Sequence, residues 1–246
     1  MLRHVLPPSQ QELEAARRVI ADHLVVTPTV RLLLRGRPTY VKMEGLQPTG
    51  AFKVRGALAA VDASKRSDPT GAVITSSAGN HGLGIAYASE ALGVRATVVV
   101  PTNASEAKVK KLKKFDIELI QFGTSYDDAQ EHALELAEAR SINYISPFND
   151  TNVMAGQSTI FDEMLLQAPD LEHIVISVGG GGLISGVLLS REAHQRGDIA
   201  VTGVQPVESS AMYFALRGVP MSEIIHRPTI ADGLACLLYT SDAADE

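Results

Sequence analysis

The chain has 246 residues, 45% of them apolar, and a formal net charge of −6. That is enough for one large domain or two small ones around a buried core, and its scattered charge gives no support to a nucleic-acid partner. A single cysteine, Cys236, excludes an internal disulfide and a cysteine-based metal cluster. The stretch from Met1 to Pro8 lacks an apolar run of signal-peptide length, and nowhere do eighteen apolar residues follow one another, so the expectation is a cytoplasmic protein with no membrane partner.

Ser9-Gln10-Gln11-Glu12 reads as a capping box, and Leu13, Ala16, Ile20 and Leu24 continue it as a helical stripe up to the Thr27-Pro28 break. A short strand is expected at 40–43. A turn, Gln47 to Gly50, then precedes an apolar-periodic helix at 52–61, which places Lys53 in a first helical turn, where cations are disfavoured. Beyond it, apolar runs at 72–75, 96–100, 117–121, 144–146, 174–178 and 201–204 alternate with helical patterns at 82–92, 104–115, 126–140, 153–167, 183–196 and 209–216. That alternation predicts an α/β fold with mostly parallel sheets flanked by helices. The basic run from Lys108 to Lys114 reads as the solvated face of an amphipathic helix, and Asp127, Asp128, Glu131, Glu135 and Glu138 as another.

Three segments carry chemistry. Lys53 lies in Pro48-Thr49-Gly50-Ala51-Phe52-Lys53-Val54-Arg55-Gly56-Ala57. A lysine that attacks a carbonyl carbon needs a population of neutral amine, which partial burial beside positive charge or a helix dipole supplies. Ser76-Ser77-Ala78-Gly79-Asn80-His81-Gly82 sits at a strand-to-helix turn, so Ser77, Asn80 and nearby N–H groups can converge on an anion. Gly179-Gly180-Gly181-Gly182-Leu183 follows an apolar strand and opens a helix, which is the make-up of a phosphate cradle. No G-x-G-x-x-G spacing occurs at that turn, which argues against a nicotinamide site. His81 is expected to fix its loop by hydrogen bonding more than to act as a base, and Arg55 to anchor the lysine helix through an ion pair.

These three motifs, in this order, resemble the fold-type II pyridoxal-phosphate enzymes (tryptophan synthase β-like), in the serine/threonine dehydratase and serine racemase branch. The resemblance implies a small domain, 67–144, that carries the substrate carboxylate loop, inserted in a larger cofactor domain formed by 1–66 and 145–235. It implies pyridoxal 5'-phosphate bound by Lys53 as a Schiff base, with Phe52, Asn80, Gly179, Gly180, Gly181, Gly182 and Leu183 around it. Ser77, Ala78, Gly79, Asn80 and His81 would meet the amino-acid substrate. The activity implied is elimination of ammonia from L-threonine or L-serine to give a 2-oxo acid, in a homodimer or homotetramer.

Two departures refine this. Ala78 stands where the racemases resemble one another in carrying a serine acid/base; a methyl group transfers no proton, so elimination is favoured over racemisation. Gln205 and Ala211 stand where carboxylates would hold a divalent metal, so no metal site is assigned. The alternatives kept open are a racemase, another β-eliminating lyase, and a cofactor-binding protein without turnover. After Ala235 the likeness stops: 236–246 reads as a foreign tail on a truncated chain, and uncovered apolar surface with poor solubility is the expectation.

Overall fold

The capping box forms as its residues dictate. Ser9 Oγ accepts from Glu12 N, the Glu12 carboxylate accepts from Ser9 N, and α1 (Gln10–His23) buries Leu13, Ala16, Val19 and Ile20. The structure, a computed structural model, describes residues 5–69, 71–220, 227 and 229–234. The tail segment 236–246 singled out above lies outside them.

After α1 comes a feature that the sequence reading only half caught. The strands β1 (Thr29–Leu34) and β2 (Arg37–Lys42) form an antiparallel hairpin, where only a short strand at 40–43 is expected. Arg35 and Gly36, with φ of 49° and 76°, make its tight turn. Arg-Gly is not the Asn-Gly or Asp-Gly pair by which such turns announce themselves. A 3-10 turn, Glu44–Leu46, leads from the hairpin towards α2 (Lys53–Ser67), whose residues 54–61 are all buried.

The next segment builds one parallel sheet. Its elements are β3 (Ala72–Ser76), α3 (Asn80–Leu92), β4 (Arg95–Val100), α4 (Glu106–Leu112), β5 (Glu118–Gln121), α5 (Tyr126–Arg140) and β6 (Asn143–Tyr144). The strand order is β5-β4-β3-β6, all parallel. Ile74, Val98 and Val99 are fully buried because helices cover both faces. The rest alternates again: α6 (Thr151–Gln167), β7 (His173–Ser177), α7 (Gly182–Ala193), β8 (Ala200–Val204) and α8 (Ala211–Ala215), with β7 and β8 parallel.

Helices join these sheets. The helix α2 packs on α3 and α6, and α6 packs on α1 and α7. The α2–α6 crossing is close because Gly156 meets Gly56 there: a Cβ on Gly156 would stand 2.5 Å from Arg55 O. Between β2 and β7 lies a cavity of about 840 Å³, lined by residues of both strands and by Phe52, Ile160, Met164 and Leu183. Among the described residues β2 pairs only with β1, and β7 only with β8, so each turns an unpaired edge away from its partner. No helix among the described residues is long and apolar enough to cross a membrane.

Candidate active site

Lys53 is the first residue of α2, and Phe52 before it supplies no side-chain cap. A cation at this helix end opposes the peptide dipoles, so it needs an acceptor from elsewhere. It has one: Lys53 Nζ donates to Pro147 O at 2.9 Å, and the amine lies 5.7 Å from the centre of the Phe52 ring.

The Ser76–Gly82 turn meets the same stretch of chain. Gly79 is the N-cap of α3, so Asn80 and His81 belong to its first turn, two residues earlier than the sequence reading started this helix. Asn80 is exposed and Ser77, Ala78 and Gly79 are half-buried. Ser77 Oγ accepts from Gly79 N at 3.2 Å. Gly82 is required sterically, since a Cβ there would lie 2.0 Å from Ser77 O. His81 is 3% exposed, with Nε2 3.3 Å from Ile145 O. A carbonyl only accepts, so this contact selects the tautomer with the proton on Nε2. Burial, and after it the nearby Lys53 charge, pushes the imidazole down to about 3, so it is neutral. His81 therefore ties α3 to the chain leaving β6, as a loop-fixing group would.

The glycine turn completes the convergence. Gly181, the N-cap of α7, has φ +91°, and a Cβ on Gly180 would lie 2.3 Å from the Phe148 ring. The aromatic ring thus packs directly on the turn's backbone. Leu183 and Phe52 reach the β2–β7 cavity, which itself does not include Lys53.

One short connection therefore touches all three motifs. Ile145 accepts from His81, Pro147 accepts from Lys53, and Phe148 covers the glycine turn. Sequence reasoning passed over it. A signal was present, since Ser-Pro-Phe-Asn-Asp lies between a strand and a helix and Asp150 caps α6, accepting from Asn152 N and Val153 N.

Arg55 is placed as an anchor, with two carboxylates and a hydroxyl as partners where one ion pair is expected. Its fully buried guanidinium donates to Glu44 at 2.8 Å through Nε and Nη2, to Glu163 at 2.7 and 2.8 Å, and to Thr159 Oγ1 at 3.1 Å. Lys42 Nζ donates to Glu163 at 2.5 Å and to Thr27 O. Burial alone would raise the Glu44 carboxyl, but hydrogen bonds from Arg55 and its charge outweigh that and hold it below the usual carboxylate range. Gln205 uses its side-chain oxygen on the backbone, accepting from Tyr213 N at 2.8 Å, and Ala211 is buried. Among the described residues no three His, Cys, Asp or Glu side chains cluster as metal ligands.

Comparison with known proteins gives a consistent set of matches. Residues 20–245 match the model of a family described as pyridoxal-phosphate dependent enzyme. An L-threonine ammonia-lyase of Thermotoga maritima is 38% identical over 200 residues, which is 81% of this chain and 50% of that protein. The processed form of threonine deaminase isoform 2 from Solanum lycopersicum superposes with a TM-score of 0.82 at 32% identity, covering 96% of this chain and 68% of that one. Maize serine racemase superposes with a TM-score of 0.84 at 28% identity, covering 94% and 71%. The chain spans half or less of the length of the curated relatives it matches.

Proposed function

Since the chain belongs to the pyridoxal-phosphate dependent enzyme family, we propose that it acts as an ammonia-lyase on L-threonine or L-serine, releasing a 2-oxo acid and ammonia by α,β-elimination. The observation that carries this reading is the convergence of the Lys53 amine, the Ser77–His81 turn and the glycine turn on residues 145–148. Curated relatives at 35–39% identity bear the names L-threonine ammonia-lyase and threonine dehydratase, which supports the choice of reaction.

The residues present fit pyridoxal phosphate. A primary amine suits its aldehyde, and the side-chain-free turn from Gly179 to Gly182, opening the twelve-residue helix α7, suits its phosphate. In this reading Lys53 would hold the group covalently, the glycine N–H groups would grip the phosphate, and Asn80, Phe52 and Leu183 would bind its ring. When bound, the group supplies an electron sink for the substrate's α-carbon. Lys53 Nζ, once displaced by the substrate's amino group and neutral, would take the α-proton, and Ser77 with the N–H groups of the α3 terminus would orient the substrate carboxylate. His81 stays neutral and holds the turn. Ala78 offers no proton to the opposite face of the α-carbon, which leaves elimination as the outcome and racemisation disfavoured. A lobe of residues 67–144, carrying the carboxylate turn, against a cofactor lobe of 1–66 and 145–235 is part of the same reading, as are a cytoplasmic setting and a homo-oligomer.

The test is direct. Protein loaded with pyridoxal phosphate should form 2-oxo acid from L-threonine or L-serine, and Lys53→Ala should lose both the cofactor's lysine-dependent absorbance and turnover. Formation of D-serine in place of 2-oxo acid would favour a racemase. Absorbance unchanged in Lys53→Ala would remove the lysine assignment.

A further inference from the structure

Two residues after Lys53, still in the first turn of α2, Arg55 enters a buried set of four charges. Its members come from four different elements: Lys42 from β2, Glu44 from the 3-10 turn, Arg55 from α2 and Glu163 from α6. Side-chain exposures are 6% for Lys42, 12% for Glu44, 0% for Arg55 and 13% for Glu163. Two cations and two anions leave the set neutral. Arg55 bridges the two carboxylates with two hydrogen bonds to each, and Lys42 closes the chain on Glu163. The anions are held from their other side as well, Glu44 Oε1 accepting from Thr27 Oγ1 at 2.5 Å.

A buried ion set is weak evidence for stability, because desolvation opposes the attraction, but it fixes geometry and sets the local field. The geometric consequence falls on Lys53, which shares the first turn of α2 with Arg55, while a charge left unbalanced in the set would act on the amine over a longer range, since side chains two apart on a helix do not face each other. The planar Arg55 fork permits one orientation of the first turn of α2 against α6, and Gly156 lets the two backbones close up at that point. The amine is then aimed at Pro147 O across the helix end.

We propose that Lys42, Glu44, Arg55 and Glu163 form a positioning cluster for Lys53, which orients the lysine's helical turn and keeps the surrounding field neutral so that the amine can be deprotonated. This rests on the reading of Lys53 as the cofactor-binding amine. Of the other charged groups, His81 on α3 is neutral, Arg17 on α1 pairs with Asp162 on α6, and at the far end of α2 Arg66 pairs with Asp62 while Lys65 donates to Leu92 O.

The cluster makes a signed prediction that a purely structural role does not. Glu163→Gln leaves an uncompensated positive charge and should lower the pH midpoint at which Lys53 forms its adduct with pyridoxal phosphate, by about half a pH unit. Lys42→Met leaves a negative charge and should raise that midpoint by a similar amount. The double variant Lys42→Met/Glu163→Gln is neutral again and should return to the parent value. The midpoint is read from visible absorbance across pH, with the signal of Lys53→Ala subtracted, and thermal unfolding is followed in parallel. Midpoints equal to the parent in all folded variants, or shifts of the same sign in both single variants, would overturn the proposal. If Glu163→Gln does not fold, Glu44→Gln carries the positive-charge arm with the same expected sign. A parent absorbance that survives in Lys53→Ala would instead defeat the underlying lysine reading and leave the cluster a structural one.

Discussion

Strands β1 and β4 are alike in composition and opposite in fate. β1 reads Thr-Val-Arg-Leu-Leu-Leu and exposes five of its six residues; β4 reads Arg-Ala-Thr-Val-Val-Val and buries five of six. Apolar content therefore does not decide burial. β4 lies inside a four-stranded parallel sheet with helices on both faces, whereas β1 is the outer member of a two-stranded hairpin and pairs with no further strand among the described residues. The inner sheet can hold a site steady. The hairpin reaches the charge cluster through Lys42 of its inner strand, and its outer strand touches α6 at its first residue, where Thr29 Oγ1 donates to Gln167 Oε1 at 2.5 Å.

The largest effect should come from the inner sheet. Ile74→Ala, at a fully buried position of β3, should cost about 2 to 5 kcal/mol in urea unfolding. A loss under about 1 kcal/mol would mean that the sheet is no firmer than the hairpin. Next comes pH. His81 is held at about 3 in the folded chain against an ordinary value of 6.5, so the folded form binds fewer protons than the unfolded one between those values. Its contribution is whole above about pH 6.5 and is lost as pH falls towards 3, at up to roughly 1.4 kcal/mol per pH unit. His81→Gln, which keeps a donor for Ile145 O, should flatten that part of the stability curve; an unchanged slope would show that another group causes it. The smallest effect belongs to the hairpin. Leu33 is 73% exposed, and Leu33→Ser should shift stability by no more than about 0.5 kcal/mol. A larger loss would show that the outer face of β1 is covered in solution.

Which features could be read in the chain follows the same division. Runs such as Ala96 to Val100 are continuous because both faces are covered, and that pattern survives without any knowledge of the fold. Ser9 and Glu12 are a local pair, and so the first helix was legible to its cap. Lys53 and the glycine turn stood out because each sits at the junction of two elements. What escaped was set by distant partners. Glu163 lies 108 residues from Arg55, and Pro147 lies 94 from Lys53, so no periodicity could announce either contact. The α3 start was placed at Gly82 in place of Asn80 because Asn-His reads as turn chemistry, while its N-cap is in fact Gly79. The hairpin turn escaped because Arg35 adopts a positive φ that few non-glycine residues take.

The connection between β6 and α6 sets a limit on how this chain can vary in length. Within four residues, Ile145 to Phe148, it meets the histidine of one motif, the amine of a second and the backbone of a third, and Asp150 then starts a helix. One residue inserted or deleted there would put at least two of those contacts out of register. The Arg35-Gly36 turn carries no such obligations. Length changes should therefore be tolerated at the tip of the hairpin and rejected in a loop that sequence alone would have marked as ordinary punctuation.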